Sequence, residues 1–225
     1  MQEPTADTWA WAVDPRDVMW CLTLTRNITP DEALDRYGAE RRSAQLLTRR
    51  QATQLDYTTH AIGSVLRAGA LAGWSFCFED NGVMGRMPGP LSALSQDTET
   101  FSILRGADGM NGFAYWRDGQ CAERFEPGFA HTAPPPPHPW WDAVQQRLGL
   151  SDGGTPVLIP VLEAVAHHTG AAFDTDTLDG PLLTVLLEEH RRTPDPAPGL
   201  DIARPPAEGR MLRPALPANP PWPTG

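Results

Sequence analysis

The sequence predicts an α+β fold: an antiparallel meander of five to six strands packed against helices, with a disordered Pro-rich tail. Three observations predict it. Residues 18–25, 73–79, 99–105 and 112–117 alternate apolar and polar side chains, or line one face with aromatics, as half-buried strands do. Asp118-Gly119 stands between two alternating runs, the mark of a tight type I′ hairpin. The middle of the chain reads as an antiparallel meander with the longer helices before and after it, which argues for α+β and against a parallel βαβ sheet.

Each element has its own warrant. Residues 1–8 read as a flexible arm, 9–192 as a single domain and 193–225 as the disordered tail, rich in proline and without periodicity. In 18–25, Trp20, Leu22 and Leu24 face one side, and Cys21, Thr23 and Thr25 the other. Thr29-Pro30-Asp31-Glu32 combines an N-cap, a proline suited to the first helical position and a capping-box acid, and Gly38 stops that helix. Residues 41–52 read as a weakly amphipathic helix docked by Ala44 and Leu47. Strands follow at 61–67 and 73–79, with Gly69 and Gly73 bracketing their connection and Trp74, Phe76 and Phe78 on one face. Pro88 to Leu94 forms a short helix. In the hairpin, Trp116 should face Cys121, and Tyr115 should face Ala122.

Residues 133–139 (APPPPHP) read as an extended polyproline loop on the surface, and Pro139 opens a helix through Leu148. The next helix starts near Pro160, buries Val161, Leu162, Val165 and Ala166, and ends at Gly170. A last helical stretch covers 176–190, interrupted by Gly180-Pro181.

Composition narrows function. The chain carries 28 acidic residues against 18 basic ones, for a net charge of −10, and every one of those cations is arginine. Nucleic acid and anionic membranes need a cationic face, so neither is an expected partner. An acidic chain suits a basic protein partner. Cys21, Cys77 and Cys121 form no C-x-x-C pair, and they read as small buried hydrophobes in a reducing, cytoplasmic setting. The N-terminus lacks a signal-peptide pattern, and no apolar run reaches membrane-spanning length.

No cofactor is expected, since neither a phosphate-binding glycine loop nor a G-x-S-x-G elbow occurs, and without lysine no Schiff base can form. Glu163 and His167, four residues apart on one helix, have spacing compatible with a metal or an acid/base pair. They project away from the apolar stripe, however, and no further ligand lies nearby in sequence, so no metal site is assigned. His168 reads as packed at the edge of that stripe. Arg41, Arg42, Arg49 and Arg50 read as a solvated face. Trp140 and Trp141, directly after the prolines, suggest an interface anchor, although packing against the core explains them as well.

Four stretches together carry a family resemblance: WAWAVDPRDVMWCLTLTRNITPDEALDRYGA, GWSFCFEDNG, FAYWRDGQCAERFEP, and VLEAVAHHTGAAF followed by DTDTLDGPLL. Over about 9–189 the chain resembles the actinobacterial proteins grouped as domain of unknown function family 6461. The resemblance implies this order of elements and a bacterial cytosolic setting. It implies no activity, substrate or catalytic residue.

Three functional readings follow. The leading one is a non-catalytic protein-binding module for an unknown, basic partner, in its specific form an immunity-type protein that neutralises a basic toxin; Trp140, Trp141, Glu79, Glu126 and His167 are its candidate binding residues. The second is an enzyme built from the scattered Glu79, Glu126, His167 and His190, which a cleft joining carboxylate and imidazole would favour. The third is a small-ligand cavity lined by the aromatics of 73–79 and 112–117.

Overall fold

Alternation organises this chain more thoroughly than helical periodicity does. The computed structural model describes residues 6–59, 63–151 and 154–188. In chain order the elements are α1 (Ala10–Val13), β1 (Trp20–Arg26), α2 (Pro30–Arg36), β2 (Gln45–Leu47), α3 (Arg49–Thr59), β3 (Gly63–Leu71), β4 (Trp74–Asp80), α4 (Pro88–Leu94), β5 (Glu99–Arg105), β6 (Asn111–Arg117), β7 (Gln120–Phe125), α5 (Pro139–Leu150), α6 (Leu158–Thr169), α7 (Thr175–Asp179) and β8 (Leu182–Glu188). The class is α+β, and the strands form one antiparallel sheet of eight, ordered β2-β8-β3-β4-β1-β5-β6-β7.

Eight strands exceed the expected five to six because two helical readings were strands. Leu182–Glu188, expected inside a helix over 176–190, is β8. It lies between β2 and β3, and Thr184, Val185 and Leu187 are all buried. A strand covered on both faces loses its polar alternation and mimics a helix in sequence. The expected helix over 41–52 divides in the same way. Gln45–Leu47 pairs with β8, and α3 begins only at Arg49. The start signal is a capping box: the Thr48 N–H donates to Gln51 Oε1 at 2.9 Å, and Gln51 N–H returns to Thr48 Oγ1 at 3.4 Å.

Smaller corrections follow from backbone geometry. Gly69 lies within β3, and the tight turn is Ala72-Gly73, both at positive φ (53° and 81°). Asp118 and Gly119 have φ of 49° and 77°, as a type I′ turn requires. Trp116 pairs with Cys121 as expected, but Tyr115 pairs with Glu123 instead of Ala122, because the register shifts between Tyr115 and Trp116. Cys121 is exposed, whereas Cys21 and Cys77 are buried. His190 and the Pro-rich tail lie outside the described residues.

The sheet has two unlike faces. On one, Trp20, Leu22, Trp74, Phe76, Phe78, Phe101, Phe113 and Phe125 join residues of α5, α6 and α7 in a continuous aromatic core. These aromatics pack on one another as buried core, where a small-ligand cavity lined by the aromatics of 73–79 and 112–117 was expected. On the other face, α2 and α4 cover Leu66, Ala68, Cys77, Ala114 and Val185. The α2 start is as the sequence predicts, with Thr29 Oγ1 accepting from the Glu32 N–H at 3.2 Å.

Candidate functional site

The site is assembled where three strands end together. Antiparallel register sets Glu99 at the start of β5 directly opposite Arg117 at the end of β6, while Arg26 closes the neighbouring β1. Opposite charges facing across a ladder attract. Glu99 Oε2 accepts from the Tyr115 hydroxyl at 2.8 Å and from Arg117 Nη2 at 3.2 Å; Oε1 accepts from Arg26 Nη1 at 3.1 Å. The turns beyond these strands place Asn27, Asp97 and Asp118 in left-handed backbone conformations, which short polar side chains tolerate. Together Arg26, Asn27, Asp97, Thr98, Glu99, Arg117 and Asp118 line a cleft of about 230 Å³.

Glu99 forms the cleft floor and is only 4% exposed. Burial disfavours its charge, but the hydrogen bonds from Tyr115, Arg26 and Arg117 outweigh burial and hold the carboxyl below the ordinary range. The same pair acts on Tyr115 in the opposite sense: burial, then the hydrogen bond to Glu99, push its hydroxyl well up. Behind the carboxylate, His168 Nε2 lies 3.6 Å from Glu99 Oε1. The imidazole sits edge-on among Trp140, Phe101 and Trp74, with ring centroids 5.0, 5.6 and 6.0 Å away.

Of the candidate binding residues named from sequence (Trp140, Trp141, Glu79, Glu126 and His167), Trp140 reaches this neighbourhood, packed on His168. Trp141 packs at right angles on Phe125, and both tryptophan backbone N–H groups donate to the buried Glu123 carboxylate at the start of α5. Glu79 is elsewhere, on the opposite face, where Oε2 accepts from Met84 N–H at 2.9 Å and Oε1 from Gly85 N–H at 2.6 Å. Burial raises its carboxyl to about 7, against the pull of those hydrogen bonds. Glu126 is half-buried just beyond β7, and His167 is exposed on α6. No hydrogen bond or ion pair among the described residues joins Glu126, His167 and Glu79 to one another. Among the described residues, no group of three or more His, Cys, Asp or Glu is placed to hold a metal ion. No described helix is long and apolar enough to cross a membrane.

Sequence reasoning missed Glu99, Arg26, Tyr115, Arg117 and the role of His168. One signal was available. Glu99 has the same strand parity as Phe101 and Ile103, and Arg117 the same as Phe113 and Tyr115, so each puts a charge in phase with a buried aromatic row.

The family model described as Family of unknown function (DUF6461) matches residues 2–144, well over half the chain. The chain belongs to this family. The match ends earlier than the expected 9–189. Arg26, Glu99, Tyr115, Arg117 and Trp140 therefore lie within the DUF6461 segment, and His168 lies beyond it. No curated protein and no solved structure matches the chain.

Proposed function

We propose that this DUF6461 protein is a non-catalytic protein-binding module that receives a basic side chain of a partner at the cleft over Glu99. In its specific form it is an immunity-type protein that neutralises a basic toxin in an actinobacterial cytoplasm. One observation carries the reading. Arg26 and Arg117 both bind Glu99, and the exposed Asp97 and Asp118 carboxylates on the rim, in no ion pair among the described residues, bring the formal charge of the cleft lining to −1. The open charge of the cleft is thus negative, in a chain of net charge −10. Such a rim attracts a cation and speeds its encounter, most strongly at low salt.

The test is a titration of ¹⁵N-labelled protein with an arginine-rich peptide and a glutamate-rich peptide of equal length. The arginine peptide is expected to move the amides of Asn27, Thr98 and Asp118, and Asp97→Asn with Asp118→Asn should weaken it by about fivefold, the scale of two rim charges. The reading fails if the glutamate peptide moves the same amides equally, or if neither peptide touches the cleft.

The 3.6 Å approach of His168 to Glu99 favours a second reading, acid/base catalysis. It ranks lower because a carboxylate already bound by three donors and held below its ordinary range is a weak proton acceptor. An activity abolished by His168→Gln with the fold intact would reverse that ranking.

A further inference from the structure

A second cavity opens at the opposite end of the sheet, where β1 and β6 begin and β5 ends. Its volume is about 440 Å³, within the range of small-molecule sites. Val13, Val18, Val157 and Leu158 supply an apolar wall, and Arg105 and Asn111 are its polar members. The wall continues outward: Val18 is 53% exposed, and the adjacent Met110 is 60% exposed. Exposed aliphatic surface beside a pocket is the usual setting for an apolar ligand.

Arg105 decides the chemistry. Its Nη1 donates to the carbonyl oxygens of Ala12 at 3.0 Å and Asp14 at 2.9 Å, which fixes the guanidinium against the end of α1. Its Nε and Nη2 make no hydrogen bond among the described residues, and it has no carboxylate partner there. Among the described residues, the nearby acids are engaged elsewhere. Asp14 pairs with Arg16 at 2.6 Å, Asp17 pairs with Arg49 at 3.0 Å, and Asp108 Oδ1 accepts from Met110 N–H at 3.1 Å within its own loop. A held guanidinium with two parallel N–H groups unused is a fork that matches a carboxylate.

We propose that this cavity binds a small carboxylic acid with an apolar body, its carboxylate on the Nε/Nη2 edge of Arg105 and its hydrocarbon against Val13, Val18, Val157 and Leu158. The site is independent of the cleft over Glu99.

The experiment titrates ¹⁵N-labelled full-length protein with hexanoate, hexylamine and hexyl phosphate. Hexanoate is expected to saturate and to move the amides of Gly106, Asn111 and Val157, and hexylamine should leave them in place. Arg105→Gln should weaken hexanoate by about tenfold or more, as loss of a charged hydrogen-bonding group does. Because Arg105 also holds α1, Val18→Trp provides a second arm: it fills the exposed mouth of the cavity, leaves Arg105 intact, and should weaken hexanoate similarly. Equal binding of hexylamine, tighter binding of hexyl phosphate, hexanoate shifts that avoid the cavity, or unchanged affinity in Val18→Trp would each overturn the proposal. So would displacement of hexanoate by a peptide with an apolar C-terminal residue at far lower concentration, since that would identify a protein ligand.

Discussion

The two faces of the sheet solve the same problem with different chemistry. At the centre of one, Leu22 and Leu24 of β1 lie between Phe78 and Phe76 of β4 and Ile103 and Phe101 of β5. At the centre of the other, the same three strands present Cys77, Thr23 and Ser102 on one rung and Ser75, Thr25 and Thr100 on the next. The first face is held by volume and ring contact: Phe101 alone lies within 6.2 Å, centroid to centroid, of Trp74, Phe113, Tyr115, Trp140 and His168. The second is held by paired polar atoms and close approach. Thr23 Oγ1 meets the Tyr37 hydroxyl at 2.8 Å, Ser102 Oγ donates to the Gly85 carbonyl at 2.6 Å, and a Cβ added at Gly85 would lie 2.7 Å from that Tyr37 hydroxyl. Small side chains let the 84–86 turn sit nearly on the strands, while large ones on the far side keep whole helices at ring distance.

The comparison can be broken first at its heaviest point. Phe101→Ala should lower unfolding free energy by about 3–5 kcal/mol, the cost of a large cavity in a core, measured by urea denaturation. It should also release His168 and Trp140 and so disturb the cleft. A loss near 1 kcal/mol would mean that the aromatic face is loosely packed.

The polar face should respond to pH instead. Glu79 has a folded value of about 7 against an ordinary 4.5, so the fold favours its protonated form. Its stabilising contribution is complete below about pH 4.5 and is lost as pH rises through 7, by an amount on the order of 3 kcal/mol. Glu79→Gln cannot ionise and should flatten this slope, although its amide nitrogen must face one of the N–H groups of Met84 and Gly85. Parallel stability curves for the parent and Glu79→Gln between pH 5 and 8 would contradict the account.

What was legible in the sequence follows the same division. Trp74, Phe76 and Phe78 announced their face because aromatics at every second position leave little choice. The Thr29 cap and the Asp118-Gly119 turn were equally plain, since each rests on contacts within four residues. β8 was not legible, because both its faces are covered and its periodicity is erased. β2 was too short to show a period at all. The cleft over Glu99 lay beyond local reading for another reason. Its parts are separated by up to 142 residues between Arg26 and His168; the register β1–β5–β6 brings the strand residues together, and the packing of α6 on β5 adds His168. Parity alone marked Glu99 as unusual, and parity does not name a partner.

The finest test of the two faces concerns a single hydrogen bond. Thr25 Oγ1 and Thr100 Oγ1 lie 3.0 Å apart, with both residues at or below 2% exposure. Thr25→Val alone leaves the Thr100 hydroxyl buried without that partner and should cost about 1–2 kcal/mol, and Thr100→Val should do the same. Changing both threonines removes donor and acceptor together while nearly preserving shape, so the double variant should be about as stable as the parent. A double-mutant cycle by urea denaturation reads this directly as a coupling energy. If the polar face is held by matched polar pairs, the coupling is close to the sum of the two single-variant costs, about 2–4 kcal/mol. If the two losses simply add, the hydroxyls act separately, and what holds this face is close packing of small side chains, which would make it a thinner version of the aromatic one.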